Sequence, residues 1–304
     1  MGEAKKIFVG NYKGGVGKTT SIYQIALHLA EANKKVLLID LDPQCSLSEI
    51  CLTRIDKTLD ELEEDESLNF IYDMWHQFKR FPYLEYNIPT TKLIKQTAEL
   101  IHFIPSNIFY KNGGLDQIAA RLKNEFEDLV VLQQFFQTSN IEKDYDYILF
   151  DCPPSNNVIT QGAFLLSDYY MIPTIVQTIS IRGVVHYIKT VEGIYKKYCL
   201  EDENATLAKL LFGPKPQLIG IFETLKKGSV KNQNVRQDLM GDLQLSGFQT
   251  LLSIDKEGKI LFDTIIRNYE DIARDTAEGK KCSEYAGLTD ELLDCLEPTG
   301  VIVT

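Results

Sequence analysis

The sequence predicts a doubly wound α/β domain on a mostly parallel sheet, and three observations predict it. A short apolar run, Ile7-Phe8-Val9, leads through a glycine-rich segment into a helical pattern. A second apolar run, Val36 to Ile39, follows that helix and ends on Asp40. Further strand-like runs then recur along the chain, mostly separated by helical stretches. Strand, loop, helix and strand in this order form a βαβ unit. Its strands run parallel because the helix carries the chain back across the sheet.

In the first helix, Ile22, Ile25, Ala26 and Leu29 stand at i, i+3, i+4 and i+7, which puts one apolar face toward a core. The run from Lys35 to Asp40 lacks polar alternation, as expected of a strand covered on both faces. Later strands are expected at 101–104, 147–150, 169–172, 218–222 and 250–254, with helices over 115–136 and 183–198. Residues 53–95 read as an insertion within one domain spanning 1–304. Its acidic run, Asp60 to Glu66, suits a solvated helix face. Its aromatic stretch from Tyr72 to Tyr86, with the only tryptophan (Trp75), suits packing of an inserted subdomain better than stacking on bases. Residues 287–304 read as a last helix and a loose end.

Composition narrows the function. A chain of 304 residues, 44% hydrophobic and 25% charged, can bury a core without disulfides or a structural metal. Its longest apolar runs are far short of the roughly 20 residues of a membrane span, and no secretion signal opens it. Six scattered cysteines without a CxxC pair argue against a zinc site or a disulfide framework and suit a reducing cytosol. With 43 acidic against 32 basic residues, the net charge is -11. Such a chain does not coat nucleic acid with its whole surface, so DNA binding requires a local basic patch.

The most specific signal is Lys13-Gly14-Gly15-Val16-Gly17-Lys18-Thr19-Thr20 between the first strand and the first helix. A strand that turns through glycines into a helix aims several backbone N–H groups at one point, where the helix end adds positive charge. That geometry suits a polyphosphate. Lys18 is then placed to reach the β- and γ-phosphates, and the Thr19 hydroxyl to ligate Mg²⁺. The general pattern G-x-x-x-x-G-K-[ST] is not met, because its first glycine falls on Tyr12 and a lysine, Lys13, stands next. Two further segments belong with the loop. Asp40-Leu41-Asp42-Pro43-Gln44 follows the second strand, and Tyr147-Ile148-Leu149-Phe150-Asp151 is an apolar strand ending on a carboxylate, followed by Cys152-Pro153-Pro154-Ser155. The aspartate at that strand end is the arrangement that holds Mg²⁺ beside a phosphate loop.

Together these motifs resemble the deviant Walker A family, K-G-G-x-G-K-T-[ST], which includes ParA and Soj partition ATPases and the cell-division regulator MinD. The D-x-P-P-S continuation after Asp151 is similar to the ParA and Soj branch. The resemblance implies that Lys13 crosses a dimer interface to the partner's nucleotide, that Asp42 orients the attacking water, and that Asp40 stands in the outer shell of the magnesium. Cys45-Ser46 replaces the family's usual Gly-Asn, so the switch loop is expected to close differently. Ile265-Ile266-Arg267-Asn268 resembles the family's adenine-side segment without its proline, which makes Arg267 and Asn268 nucleotide contacts by resemblance.

The implied function is a slow, partner-stimulated ATPase with ATP and Mg²⁺ as its ligands, paired as an ATP-dependent homodimer. By the same resemblance it acts with a ParB-like centromere-binding adaptor in plasmid or chromosome partition, is cytoplasmic, and associates with the nucleoid when ATP-bound. Non-specific double-stranded DNA binding is implied through basic residues of the C-terminal half. The candidates are Lys226, Lys227, Lys231, Arg236, Arg267, Arg274, Lys280 and Lys281. Scattered solvated lysines balanced by nearby acids explain these positions equally well. With only a short segment before the first strand, no N-terminal winged helix is expected. The acidic tail from Asp290 to Glu297 does not suit MinD-type membrane attachment, and Cys152 lacks a partner motif for an iron–sulfur cluster. A positioning or scaffold protein with non-DNA cargo is the alternative, and a biosynthetic P-loop ligase remains a third reading.

Overall fold

The computed structural model describes residues 3–80, 88–123, 125–176, 178–226, 233–245, 247–248, 250–253, 259–267 and 270–297. Its strands are β1 (Lys5–Val9), β2 (Val36–Asp40), β3 (Lys95–Gln96), β4 (His102–Ile104), β5 (Tyr147–Asp151), β6 (Tyr169–Thr174), β7 (Gln217–Lys226) and β8 (Leu261–Arg267). They form one sheet in the order β3-β4-β2-β5-β1-β6-β7-β8. Every neighbouring pair is parallel except β3 with β4. The expected doubly wound, mostly parallel class is therefore what the chain adopts.

The helices are α1 (Lys18–Glu31), α2 (Ser46–Thr53), α3 (Leu68–Arg80), α4 (Thr90–Leu93), α5 (Leu115–Arg121), α6 (Phe126–Leu129), α7 (Val131–Ser139), α8 (Val158–Leu166), α9 (Thr178–Lys196), α10 (Ala205–Phe212), α11 (Gln233–Leu245), α12 (Glu270–Ala277) and α13 (Ala286–Leu296). Alternation along the strands splits their side chains between two cores. Phe8, Leu37, Ile39, Ile148 and Phe150 meet α3 and α5 to α11 on one face. Ile7, Val9, Leu38, Tyr147 and Leu149 meet α1, α2, α12 and α13 on the other. The central strands are covered on both sides, which is why they read as unbroken apolar runs.

Three expectations need correction. The 115–136 helix is broken into α5, α6 and the start of α7. The break serves Asp128, a buried carboxylate that accepts from the Lys123 amide (2.9 Å), Trp75 Nε1 (3.2 Å) and Lys79 Nζ (2.9 Å). A continuous helix would leave that buried charge short of a backbone donor. Residues 250–253 form no strand: Leu251–Ser253 make one 3-10 turn, residue 254 lies outside the described residues, and the sheet's last strand lies later, at β8. This strand escapes the apolar pattern because it is an edge, with the Glu291 carboxylate accepting from the Asp263 and Thr264 amides at 2.8 Å each. The 183–198 helix begins earlier, at Thr178, and ends in a π turn over Lys197–Glu201.

Within 53–95, Leu68, Ile71, Tyr72 and Trp75 join the same core as Leu37 and Ile39. The acidic run is tied down by lysines: Lys92 to Glu63 (3.1 Å) and Asp65 (3.0 Å), Lys95 to Glu66 (2.6 Å), Lys57 to Glu66 (3.7 Å), and Lys111 to Glu64. Residues 81–87 and 298–304 lie outside the described residues.

Gly10, where β1 passes into the glycine loop, shows how tightly the loop is seated. A Cβ there would stand 2.0 Å from Tyr187 Oη and 2.6 Å from Phe8 Cε1. We expect Gly10→Ala to lower unfolding stability by about 1–3 kcal/mol in urea titrations. Adding Tyr187→Phe should recover part of that loss; full stability of the single variant would contradict the packing.

Candidate functional site

Parallel pairing brings the C-terminal ends of β1, β2, β5 and β4 to one edge, and the glycine loop, the Asp40–Gln44 segment and Asp151 all sit there. The loop from Gly10 to Gly17 turns through Gly15 (φ +68°) and Gly17 (φ +77°), a left-handed conformation that side chains other than glycine adopt at a cost. Cβ atoms built on Gly14, Gly15 and Gly17 would meet nothing within 4 Å, so the loop borders open space at these three positions. Lys18 opens α1 and is buried, with Nζ donating to the Asn11 carbonyl at 3.4 Å. Val16 is buried, Thr20 is half-buried in the first turn of α1, and Lys13 is exposed. Lys13 has no acidic partner among the described residues.

Residues outside the motifs hold the loop. Asn11 Nδ2 donates to the Pro173 carbonyl (2.8 Å), and Asn11 Oδ1 accepts from the Lys13 amide (3.0 Å). Thr224 Oγ1, at the end of β7, donates to the Val16 carbonyl at 2.8 Å. Asn11 could have been suspected from its place in the strand-to-loop turn. Thr224 carries no local signal, because its partner is 208 residues away.

Asp151 and Asp40 stand side by side in the β2–β5 register, both fully buried. The Thr19 hydroxyl donates to Asp151 Oδ2 at 2.7 Å, while Asp151 Oδ1 is buried without a hydrogen-bond partner. Burial pushes the Asp151 carboxyl well above the usual carboxylate range, and the neighbouring Asp40 pushes it further. Burial also raises Asp40, against the pull of its own hydrogen bonds from Ser48 and Asp42. Among the described residues no three His, Cys, Asp or Glu side chains form a metal cage. An orphaned carboxylate oxygen beside a hydroxyl and an open phosphate cradle nevertheless fits Mg²⁺ of the kind that completes its shell with phosphate oxygens and water.

The switch segment forms a closed ring. Asp40 Oδ2 accepts from the Ser48 hydroxyl (2.6 Å) and amide (2.9 Å), and Oδ1 accepts from the Asp42 amide (3.0 Å). The Ser106 amide donates to Ser48 Oγ (2.8 Å), and Ser106 Oγ donates to the Asp42 carbonyl (3.2 Å). Asp42 is half-buried, its Oδ1 accepting only from the Gln44 amide (3.0 Å) among the described residues. Cys45 is buried with φ +57°, the left-handed conformation a glycine would take freely. Ser48 carries no motif signal in the sequence, and its partner Ser106 lies 58 residues away.

The remaining candidates are dispersed. Arg267 is exposed at the end of β8, on the same edge three strands from β1. Asn268, Lys227 and Lys231, with the side chain of Arg236, lie outside the described residues. Arg274 pairs with Asp271 (2.6 Å) and Asp275 (3.8 Å), Lys280 with Glu278 (2.5 Å), and Lys281 with Glu31. Lys226 is half-buried at the end of β7. No helix among the described residues is long and apolar enough to cross a membrane.

Fold and site together define a P-loop nucleoside triphosphatase of the deviant Walker A kind. The family model AAA_31, described as an AAA domain, matches residues 4–208, and the chain belongs to that family of ParA- and Soj-type P-loop ATPases. It is similar to the virulence plasmid ParA family protein pGP5-D of Chlamydia psittaci, 28% identical over 239 residues, covering 75% of this chain and 79% of the relative. In fold it is similar to cobyrinic acid a,c-diamide synthase of Mycobacterium smegmatis, solved with an ATP analog and magnesium. That match has a TM-score of 0.62 and 21% identity, covering 97% of this chain and 96% of the other. It is also similar to pNOB8 ParA bound to nonspecific DNA, with a TM-score of 0.58 and 22% identity, covering 98% and 100%.

The buried aspartates give the nucleotide-free protein a pH dependence. A carboxyl raised above its unfolded value means the native state binds more protons between the ordinary pKa of about 4 and its raised value. Stability then falls as pH rises through that window. We expect Asp151→Asn, in metal- and nucleotide-free buffer, to be more stable than wild type by about 1–3 kcal/mol at pH 8. The advantage should vanish near pH 4 in urea titrations; an Asn variant less stable at pH 8 would contradict the account.

Proposed function

We propose that the chain is an ATP-dependent dimerising ATPase of ParA type, acting in plasmid or chromosome partition and binding DNA without sequence preference in its ATP state. The observation that carries this reading is the pair of lysines on one glycine loop. Lys18 is buried within its own site, while Lys13 is exposed and lacks an acidic partner among the described residues. A second cation beside an anion cradle, turned outward, suits the phosphates of a nucleotide held by another copy.

In this reading the backbone amides of Gly14, Gly15, Val16, Gly17, Lys18, Thr19 and Thr20 hold the phosphates, and Lys18 neutralises the β and γ oxygens. Thr19 Oγ1 and Asp151 would hold Mg²⁺, with Asp40 standing behind them. When bound, Mg²⁺ would supply positive charge against the phosphates. Asp42 orients water in line with the γ-phosphate, and Lys13 from the partner completes the charge cage. Arg267 and Asn268 border the base. A site completed only by pairing is slow alone, so ATP acts as a dimerising ligand and hydrolysis releases the pair. The partners are a second copy, a ParB-like adaptor and duplex DNA, in the cytoplasm and on the nucleoid. A positioning protein with non-DNA cargo is the second reading, favoured by the ion pairs that occupy Arg274, Lys280 and Lys281.

Light scattering on a sizing column, with ADP or ATP, tests the pairing. Wild type should be dimeric with ATP and monomeric with ADP, and Lys13→Ala monomeric with both. A dimer equally abundant under all four conditions sinks the switch. Asp42→Ala with ATP should bind duplex DNA at 50 mM salt and lose at least tenfold in affinity by 200 mM. ATP-dependent dimers indifferent to duplex would instead favour the positioning reading.

A further inference from the structure

Ile108 and Phe109 are adjacent apolar side chains left 47% and 67% exposed. They are held out on a braced turn. Asn69, buried in α3, donates through Nδ2 to the carbonyls of Asn107 (3.0 Å) and Gly113 (3.1 Å), and its Oδ1 accepts from the Asn107 amide (2.9 Å). Asp73 Oδ2 accepts from Tyr110 Oη (3.0 Å) and Asn112 Nδ2 (2.9 Å), and the Phe109 amide donates to Asn107 Oδ1 (2.8 Å). A rigid turn presenting an aromatic ring to water loses little conformational entropy when it docks, which is the property of an interface anchor.

The turn follows β4, so it leaves the sheet on the same edge as the glycine loop. Three strand spacings separate β4 from β1, about 14 Å at ~4.8 Å each. A standard interface covers about 800 Å² per partner, roughly 30 Å across. A body of that width centred on the glycine loop is wide enough to reach the end of β4, where the turn begins. The turn is also wired to the switch segment, because Ser106, three residues before Phe109, bonds both Ser48 and the Asp42 carbonyl.

We propose that the Ile108–Phe109 tip is an apolar anchor for a second copy of this chain, set in place by the switch segment through Ser106. A second copy is the occupant that charge selects. With ATP in its glycine loop, each copy presents phosphate anions to the other's Lys13, which is exposed and has no acidic partner among the described residues, so a two-fold partner supplies the counter-charge even though each chain carries a net charge of -11. The inference rests on the ATP-dependent dimer proposed above.

The test uses the Asp42→Ala chain as parent, to hold ATP unhydrolysed, and adds Phe109→Ser or Phe109→Leu. Dimer dissociation constants come from analytical ultracentrifugation with ATP and Mg²⁺, and nucleotide binding from a fluorescent ATP analogue at concentrations below dimerisation. We expect Phe109→Ser to bind the analogue as its parent does while its dimer weakens at least tenfold, with Phe109→Leu recovering most of the loss. Equal dimer constants for parent and Phe109→Ser overturn the anchor and leave the ATP switch standing. A parent that stays monomeric with ATP overturns both. An intact Phe109→Ser dimer that has lost duplex binding assigns the tip to DNA, and lost analogue binding assigns it to the nucleotide site; either result overturns the proposal.

Discussion

Two carboxylates buried side by side, Asp40 at the end of β2 and Asp151 at the end of β5, are the constraint on which the site depends. Desolvating one carboxylate costs several kcal/mol, and desolvating two as neighbours costs more. The surrounding structure divides the burden unequally. Asp40 is consumed by donors from Ser48 and Asp42, while Asp151 keeps one oxygen without a partner. The first is a fixture of the segment from Asp40 to Ser48, and the second keeps one buried oxygen without a hydrogen-bond partner among the described residues.

That division explains why the loops around the site are held as they are. The glycine loop is braced from β6 through Pro173 and Asn11, and from β7 through Thr224. The switch segment is closed by Ser48 and Ser106 into a ring that includes both Asp40 and Asp42. Hydrogen bonds therefore link both aspartates to Ser106, just beyond β4. In a bistable interface, a coupling of this kind lets a local charge change bias a large surface.

The motifs were readable because phosphate binding demands specific residue types at fixed spacing. Glycines at 15 and 17 adopt the left-handed conformations that such a loop requires, and Lys18 and Thr19 follow at once in the helix. Cys45 shows the limit of this reading. Its side chain departs from the usual glycine, yet its backbone takes the glycine conformation, because burial and the ring around Asp40 over-determine the turn.

By itself, the sequence determined the doubly wound class, the central strands and the nucleotide motifs, since each rests on contacts or periodicities within a few residues. Tertiary structure decided the rest. It broke the 115–136 helix to feed a buried Asp128, and it moved the last strand to a half-polar edge at β8. It also recruited Thr224 and Ser106 from distant strands to pin the loops. The partners in these choices lie as far as 208 residues apart, as Thr224 and Val16 do. Burying a polar group is settled by what lies across the fold, not by its neighbours along the chain.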